Sequence, residues 1–163
     1  MNSYATACSA EVAQELPALL WDSIQSWNGG RHQEVAAVFL LVEHGPWPAK
    51  LAEVGLLRLD GPDGEHLDVE HLGKSPAEEV WTYVEWDRVA ELVAAEALRD
   101  PLAPHVPIYA TRSEWAVLGF ASSLMTSTWS PLLGSVDADN TKLMHAALAW
   151  ARSGEEAADV FLR

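Results

Sequence analysis

The densest group of side chains that could do chemistry lies between positions 66 and 71. His66, Asp68 and Glu70 alternate with Leu67 and Val69, so a strand would place the three polar residues on one face. Imidazole and carboxylate groups together suit acid–base catalysis or a divalent metal ion. Neighbours on one strand face are about 7 Å apart, however, which is wide for ligands about 2 Å from a single metal. The pattern predicts a solvated strand face with no metal site, and His66, Asp68 and Glu70 as candidate catalytic residues.

A fourth candidate, His44, directly precedes Gly45 and Pro46, a pair typical of a helix end. A partly positive imidazole there would interact favourably with the helix dipole, which favours a structural role over catalysis. No dinucleotide-binding, phosphate-loop, serine-hydrolase, zinc-protease or calcium-loop motif occurs in the chain. We therefore expect no cofactor. The sequence leans away from an enzyme without deciding the matter.

Tryptophan is unusually frequent, with eight in 163 residues. Trp21 and Trp150 fall outside the main apolar stripes of their predicted helices, and Trp47 lies between two prolines. Exposed tryptophan is typical of interfaces because it buries a large area with few rotamers. Trp21, Trp47 and Trp150 are therefore the predicted binding residues. The alternative is that they pack beneath loops.

Charge gives the strongest global constraint. Twenty-four acidic residues oppose ten basic ones, for a net charge of −14. Such a surface repels nucleic acid and anionic lipid and attracts a basic protein, although it also serves solubility. We expect a basic protein partner, no nucleic acid and no membrane, and the sequence leaves homo-oligomerisation open. Without a targeting segment or a long apolar run, the expected location is the cytoplasm.

Length and periodicity predict one globular domain over residues 1–163, with a mobile end at residues 1–10. The first firm helix is predicted from Pro17 to Trp27, with a kink or a separate turn before the proline. Residues 31–44 suit either a buried helix or a buried strand. The following Gly45 and Pro46 favour a helix, and its apolar character on all sides places it centrally.

From Leu56 onward the spacing of the apolar residues changes from a helical period to the alternation typical of strands. A hairpin is predicted from Leu56–Asp60 and Glu65–Leu72 around a Gly-Pro-Asp-Gly turn, with a third strand at Glu79–Trp86 and a fourth at Val106–Ala110. The remaining predicted elements are helices: Arg88–Arg99 capped by Asp87, a helix from the Thr111 and Glu114 capping box to about Ser127, Asn140–Arg152 capped by Asp139, and the tail Glu155–Leu162.

The predicted fold is α+β, with a small, mainly antiparallel sheet of about three to four strands covered by about five to six helices. The favoured function is a small acidic protein-interaction module, such as an inhibitor, immunity-type or adaptor protein. The alternative is a small metal-independent enzyme or ligand-binding protein acting on a small molecule in a pocket between sheet and helices. A flat acidic surface with exposed tryptophan would favour the module, and a deep pocket with converging polar groups the alternative.

Overall fold

Seven helices and a three-stranded antiparallel sheet make up the part of the chain that the structure, a computed structural model, describes: residues 10–26, 32–67, 80–98, 108–126 and 136–162. The elements in order are α1 (Ala10–Ser26), α2 (His32–His44), α3 (Trp47–Glu53), β1 (Leu57–Asp60), β2 (His66–Leu67), β3 (Trp81–Val84), α4 (Trp86–Ala97), α5 (Arg112–Thr126), α6 (Ala138–Ser153) and α7 (Glu155–Leu162). The predicted α+β fold with a small antiparallel sheet is confirmed.

Helix α2 lies at the centre of the helical layer. It packs against α1, α3, α5 and α6, and its residues 36–41 are all buried. A helix surrounded in this way has no solvated face to keep polar, which explains why its sequence is apolar on nearly every side. Residues 31–44 were ambiguous between helix and strand, and the helical prediction is confirmed for the described residues from His32 onward. Within the described residues, no helix is long and apolar enough to cross a membrane.

The sheet has the strand order β2-β1-β3. The predicted hairpin is present: β1 pairs with β2, and the backbone N–H of Gly61 donates to the Glu65 carbonyl across the turn at 2.9 Å. Gly64 adopts a φ of 75°, which glycine accepts without steric cost. Asp68, Val69 and Glu70 lie outside the described residues, so their predicted orientation cannot be compared, whereas His66 is exposed and Leu67 packs against the core.

Strand β3 pairs with β1 on the side opposite β2, and helix α1 covers its outer edge. The register pairs Leu59 with Thr82, and the N–H of Thr82 donates to the buried Ser23 hydroxyl of α1 at 2.8 Å. This hydrogen bond satisfies an amide that would otherwise face outward from an edge strand. The side chains of Leu57, Leu59, Thr82 and Val84 face the core, so the opposite face of the sheet points outward.

Three local predictions are wrong in their details. Helix α1 continues through Pro17 without a separate turn, because Leu16 and Leu20 on either side are almost completely buried and this packing outweighs the lost backbone hydrogen bond. Helix α4 begins at the buried Trp86, two residues before the expected start at Arg88. Asp87 therefore lies in the first turn of α4 instead of capping it, although its charge still suits the helix dipole there.

The cap of α6 is Asp137, and the predicted cap Asp139 lies in the first turn. Asp137 accepts the backbone N–H of Asn140 at 2.8 Å and also the hydroxyl of Ser113 at 2.6 Å. That second bond comes from Ser113 of α5, which is distant in sequence. The preference for Asp137 as the cap therefore could not be predicted from the residues around it. The Thr111–Glu114 capping box of α5 is confirmed, since each side chain accepts the other residue's backbone N–H.

The predicted fourth strand is also wrong within the described residues. Residues 108–110 belong to no strand, and Ile108 is buried against the core while Tyr109 is 83% exposed. The apolar residue thus serves packing without sheet pairing. Ala10, the last residue of the predicted mobile end, begins α1, and residues 1–9 lie outside the described part of the chain.

Candidate binding site

The outward face of the sheet carries two exposed aromatic side chains. Trp81 and Tyr83 are two residues apart on β3 and therefore share a face, and they are 42% and 37% exposed. The antiparallel register places Asp60 of β1 opposite Trp81, and Arg58 opposite Tyr83. Directly opposed residues in a sheet are within contact distance of each other, so the four side chains form one continuous surface.

Asp60 is the polar centre of this surface. Its carboxylate accepts the hydroxyl of Tyr83 at 2.5 Å and the Nε of Arg58 at 2.9 Å, and Nδ1 of His66 lies 3.8 Å away. Partial burial acts to raise the pKa of Asp60, but the two hydrogen bonds outweigh it and leave that pKa below its usual value. Burial of the phenol and its bond to Asp60 raise the pKa of Tyr83 to about 12. At neutral pH the surface therefore holds a carboxylate and a neutral phenol.

Arg58 completes the network on the sheet. Its guanidinium carbon lies 5.3 Å from the centre of the Tyr83 ring, within the range of a cation–π contact. The ring of Tyr83 is thus already engaged by a cation of the same chain. Among the described residues no cation–π contact to Trp81 is present, so its exposed ring is the part of the surface that remains open to an external group.

Two concavities meet at Trp81. One, of about 590 Å³, lies over the groove between β3, the hairpin turn and the start of α2, and its walls include Glu34 and Asp60. The other, of about 490 Å³, lies toward the end of α1 and includes Asp22 and Gln25. Both are lined by Ser23 and Trp81, so the two concavities adjoin at these residues. We call the two concavities together the aromatic groove.

The aromatic groove is acidic as well as apolar. Asp22, Glu34 and Asp60 line it, and no lysine or arginine does among the described residues. Arg58, on the neighbouring strand, offsets part of the Asp60 charge, which leaves Asp22 and Glu34 as carboxylates that line the groove without a salt bridge among the described residues. An indole face bordered by carboxylates has the chemistry to bind a guanidinium or ammonium group through its ring and its charge together.

The three predicted binding tryptophans are not at this groove. Trp47 is 0% exposed and packs against Trp115 with ring centres 5.5 Å apart, and Trp150 is 8% exposed. The ring centre of Trp150 lies 5.2 Å from that of Phe39 and 5.8 Å from that of Trp21, which it meets edge-on. Trp21 is half-buried. Trp47 and Trp150 are therefore buried, and Trp21 is partly exposed, so packing within the fold, the alternative considered for these residues, holds for two of the three. A role of the three in binding stays a prediction.

The structure places the two described candidate catalytic residues, His44 and His66, in different parts of the fold. His66 is on the outer face of the sheet beside Asp60, whereas His44 ends α2 among Lys50, Glu114 and Asp137. Asp68 and Glu70 lie outside the described residues. Burial is the main cause of the lowered pKa of His44, which disfavours the expected positive imidazole at the helix end. In the described part of the chain, its buried Nδ1 has no hydrogen-bond partner. Among the described residues, no group of three histidine, cysteine or acidic side chains could hold a metal.

A second polar cluster joins the starts of α5 and α6. Glu114 accepts the ammonium of Lys50 at 2.7 Å in addition to its capping-box bond, and Asp137 binds Ser113 and Asn140. Burial acts to raise the pKa of Glu114, but the hydrogen bonds from Lys50 and Thr111 outweigh it, so this pKa is lowered. The pKa of Asp137 is also lowered, and the hydrogen bond from Ser113 is the main cause. Each carboxylate is engaged in capping a helix, so the cluster is structural.

Sequence reasoning placed Trp81 in a strand but did not select it as a binding residue. The signal was available in part, because Trp81 and Tyr83 alternate with Thr82 and Val84 and one of the two pairs must face outward. Which pair does so depends on where α1 packs, and an aromatic pair is by itself the better core candidate.

Comparison with known proteins identifies no relative: no family model matches the sequence, and neither a curated protein nor a solved structure shows detectable similarity to it.

Proposed function

We propose that this chain is a small acidic protein-interaction module that binds a basic protein partner in the aromatic groove. The observation that carries the proposal is the position of Trp81, which is 42% exposed and lines both concavities of a groove whose walls also include Asp22, Glu34 and Asp60. A cytoplasmic location, expected from the sequence, belongs to the same proposal.

The aromatic side chain supplies the affinity. Large exposed aromatic residues in depressions are the residue class that most often anchors protein interfaces. Tryptophan can stack on an arginine guanidinium or accept a lysine ammonium over its ring, and the two concavities that Trp81 lines offer room for the residues that flank such a group. The rest of the partner segment would therefore contact the groove walls.

Charge supplies selectivity and speed. The net charge of −14 generates a field that attracts cationic partners from a distance. The carboxylates of the groove would then bind the cationic group of the partner at short range. At about 0.15 M salt the screening length is about 8 Å, so the long-range attraction weakens while contacts inside the groove persist. Association should consequently slow as salt rises, with dissociation much less affected.

The covered edge of β3 restricts how a partner can bind. Because the N–H of Thr82 is already bonded to Ser23, an incoming strand finds no donor at this position to extend the sheet. We therefore expect the partner to use side chains on the face of the groove. This supports recognition of a protruding arginine or lysine instead of an added strand.

The test compares two variants with the same net charge. Asp22→Asn with Glu34→Gln removes two charges from the groove, and Glu155→Gln with Glu156→Gln removes two from the exposed start of α7. An arginine-rich peptide serves as the probe in stopped-flow binding at low and high salt. We expect the groove variant to bind more slowly and more weakly than the α7 variant. Equal loss in the two variants would show that the peptide responds to net charge alone, and would contradict the proposal.

A further inference from the structure

A third concavity lies at the opposite end of β1, between the hairpin and the start of α4. Its volume is about 340 Å³, and it shares no lining residue with the aromatic groove. Its polar walls are formed by Arg58, His66, Glu85 and Arg88, and the adjacent apolar wall includes Leu57 and Leu67. It has the size of a site for a small molecule.

The lining of this concavity is rich in basic groups for so acidic a protein. The chain has only ten basic residues other than histidine against twenty-four acidic ones, yet Arg58, Arg88 and His66 line this one space with a single lining carboxylate, Glu85. A second carboxylate, Asp60, is paired with Arg58 outside the lining. Basic side chains that are scattered over the surface of an acidic protein create no local region of positive potential. When they are gathered around a concavity, they form an attractive position for an anion.

Both guanidiniums are held in place by neighbours that leave donors available. The Nε of Arg58 donates to Asp60, and its planar group lies beside the Tyr83 ring. The Nη1 of Arg88 donates to the backbone carbonyl of Gly55 at 3.1 Å. Because a guanidinium has five N–H donors, each arginine keeps several for a ligand, and its orientation is fixed before the ligand arrives.

From these contacts we infer that the concavity between β1, β2 and α4 binds a small molecule bearing a carboxylate or phosphate group, with Arg58 and Arg88 as the principal ligands and His66 as a third donor. Two oriented guanidiniums can each form charge-assisted hydrogen bonds with the oxygens of such a group. The apolar wall formed by Leu57 and Leu67 would contact the carbon skeleton of the same molecule. This site shares no lining residue with the aromatic groove, although Asp60 and Tyr83 of the groove contact Arg58.

The test is an NMR titration of the full chain with sodium phosphate and, separately, sodium succinate, each against sodium chloride at the same ionic strength. We expect saturable shifts in the signals of Gly55, His66 and Arg88 with at least one of the two anions, and the tighter anion identifies the ligand class. Arg88→Gln should weaken that binding about tenfold or more, because it removes one charge-assisted contact. The matched variant Arg152→Gln, on exposed α6, should leave it unchanged.

Two results would overturn the inference. One is the absence of saturable shifts with either anion beyond those caused by chloride. The other is binding that persists equally in Arg88→Gln and in a second variant, Arg58→Gln, when both retain the spectrum of the folded protein. Neither result depends on the behaviour of Trp81, so the failure of this site would leave the proposed partner surface standing.

Discussion

Replacement of Trp81 by alanine should weaken partner binding through lost contact area. The exposed 42% of the side chain corresponds to about 100 Å² of the area that a tryptophan can bury. Complete burial of that area at about 25 cal/mol per Å² contributes about 2.5 kcal/mol, equivalent to about 60-fold in Kd. Most of the loss should appear as faster dissociation, because the indole acts at short range.

The matched control is Phe161→Ala on α7. Phe161 is 43% exposed, nearly the same as Trp81, but it does not line the aromatic groove. Surface-immobilised binding of the same basic partner to both variants gives the rate constants, and thermal unfolding confirms that both remain folded. Equal dissociation rates for Trp81→Ala and the unaltered protein would refute the argument that the indole is buried by the partner.

Three further predictions concern the fold and are read from thermal or chemical unfolding. Trp150→Ala should cost about 3 to 5 kcal/mol in stability, because this side chain joins α1, α2 and α6 and is buried, and a loss below about 1 kcal/mol would contradict that role. Ser23→Ala should cost about 1 to 3 kcal/mol, since it leaves the N–H of Thr82 without its partner in a buried place; a neutral effect would mean that another group replaces the hydroxyl. The pKa of Glu114 is lower in the folded protein than its unfolded value of 4.5. Its ionised carboxylate therefore stabilises the fold above pH 4.5, and this stabilisation is lost as the pH falls through the folded pKa. Glu114→Gln should therefore flatten the decline in melting temperature below about pH 4.5, and an unchanged slope would contradict this.

Elements defined by local physics could be predicted from the sequence. The hairpin follows from a glycine-rich turn between alternating residues, and the start of α5 follows from the spacing of Thr111 and Glu114. Both depend on residues at most a few positions apart. The character of α2 was also predictable, because a helix that is apolar on all sides has only the centre of the fold to occupy.

Features set by distant contacts could not be predicted. Asp137 caps α6 in place of Asp139 because Ser113, on another helix, donates to it. The same limit explains the tryptophans: Trp150 lies off the stripe of α6 yet is enclosed by α1 and α2, while Trp81 is left exposed because α1 covers the other face and the edge of β3. Periodicity identifies which residues share a face, but the packing of the whole chain decides which face is covered.

Site-specific photo-crosslinking tests the partner surface most directly. A benzoylphenylalanine at Gln25, on the wall of the aromatic groove, is compared with one at Val160, which is 75% exposed on α7. After irradiation with the partner or the arginine-rich peptide, mass spectrometry locates the joined residues. We expect crosslinks from position 25 to an arginine- or lysine-containing segment, and far fewer from position 160. Equal crosslinking from both positions, or crosslinking from position 160 alone, would contradict the claim that the aromatic groove is the docking site.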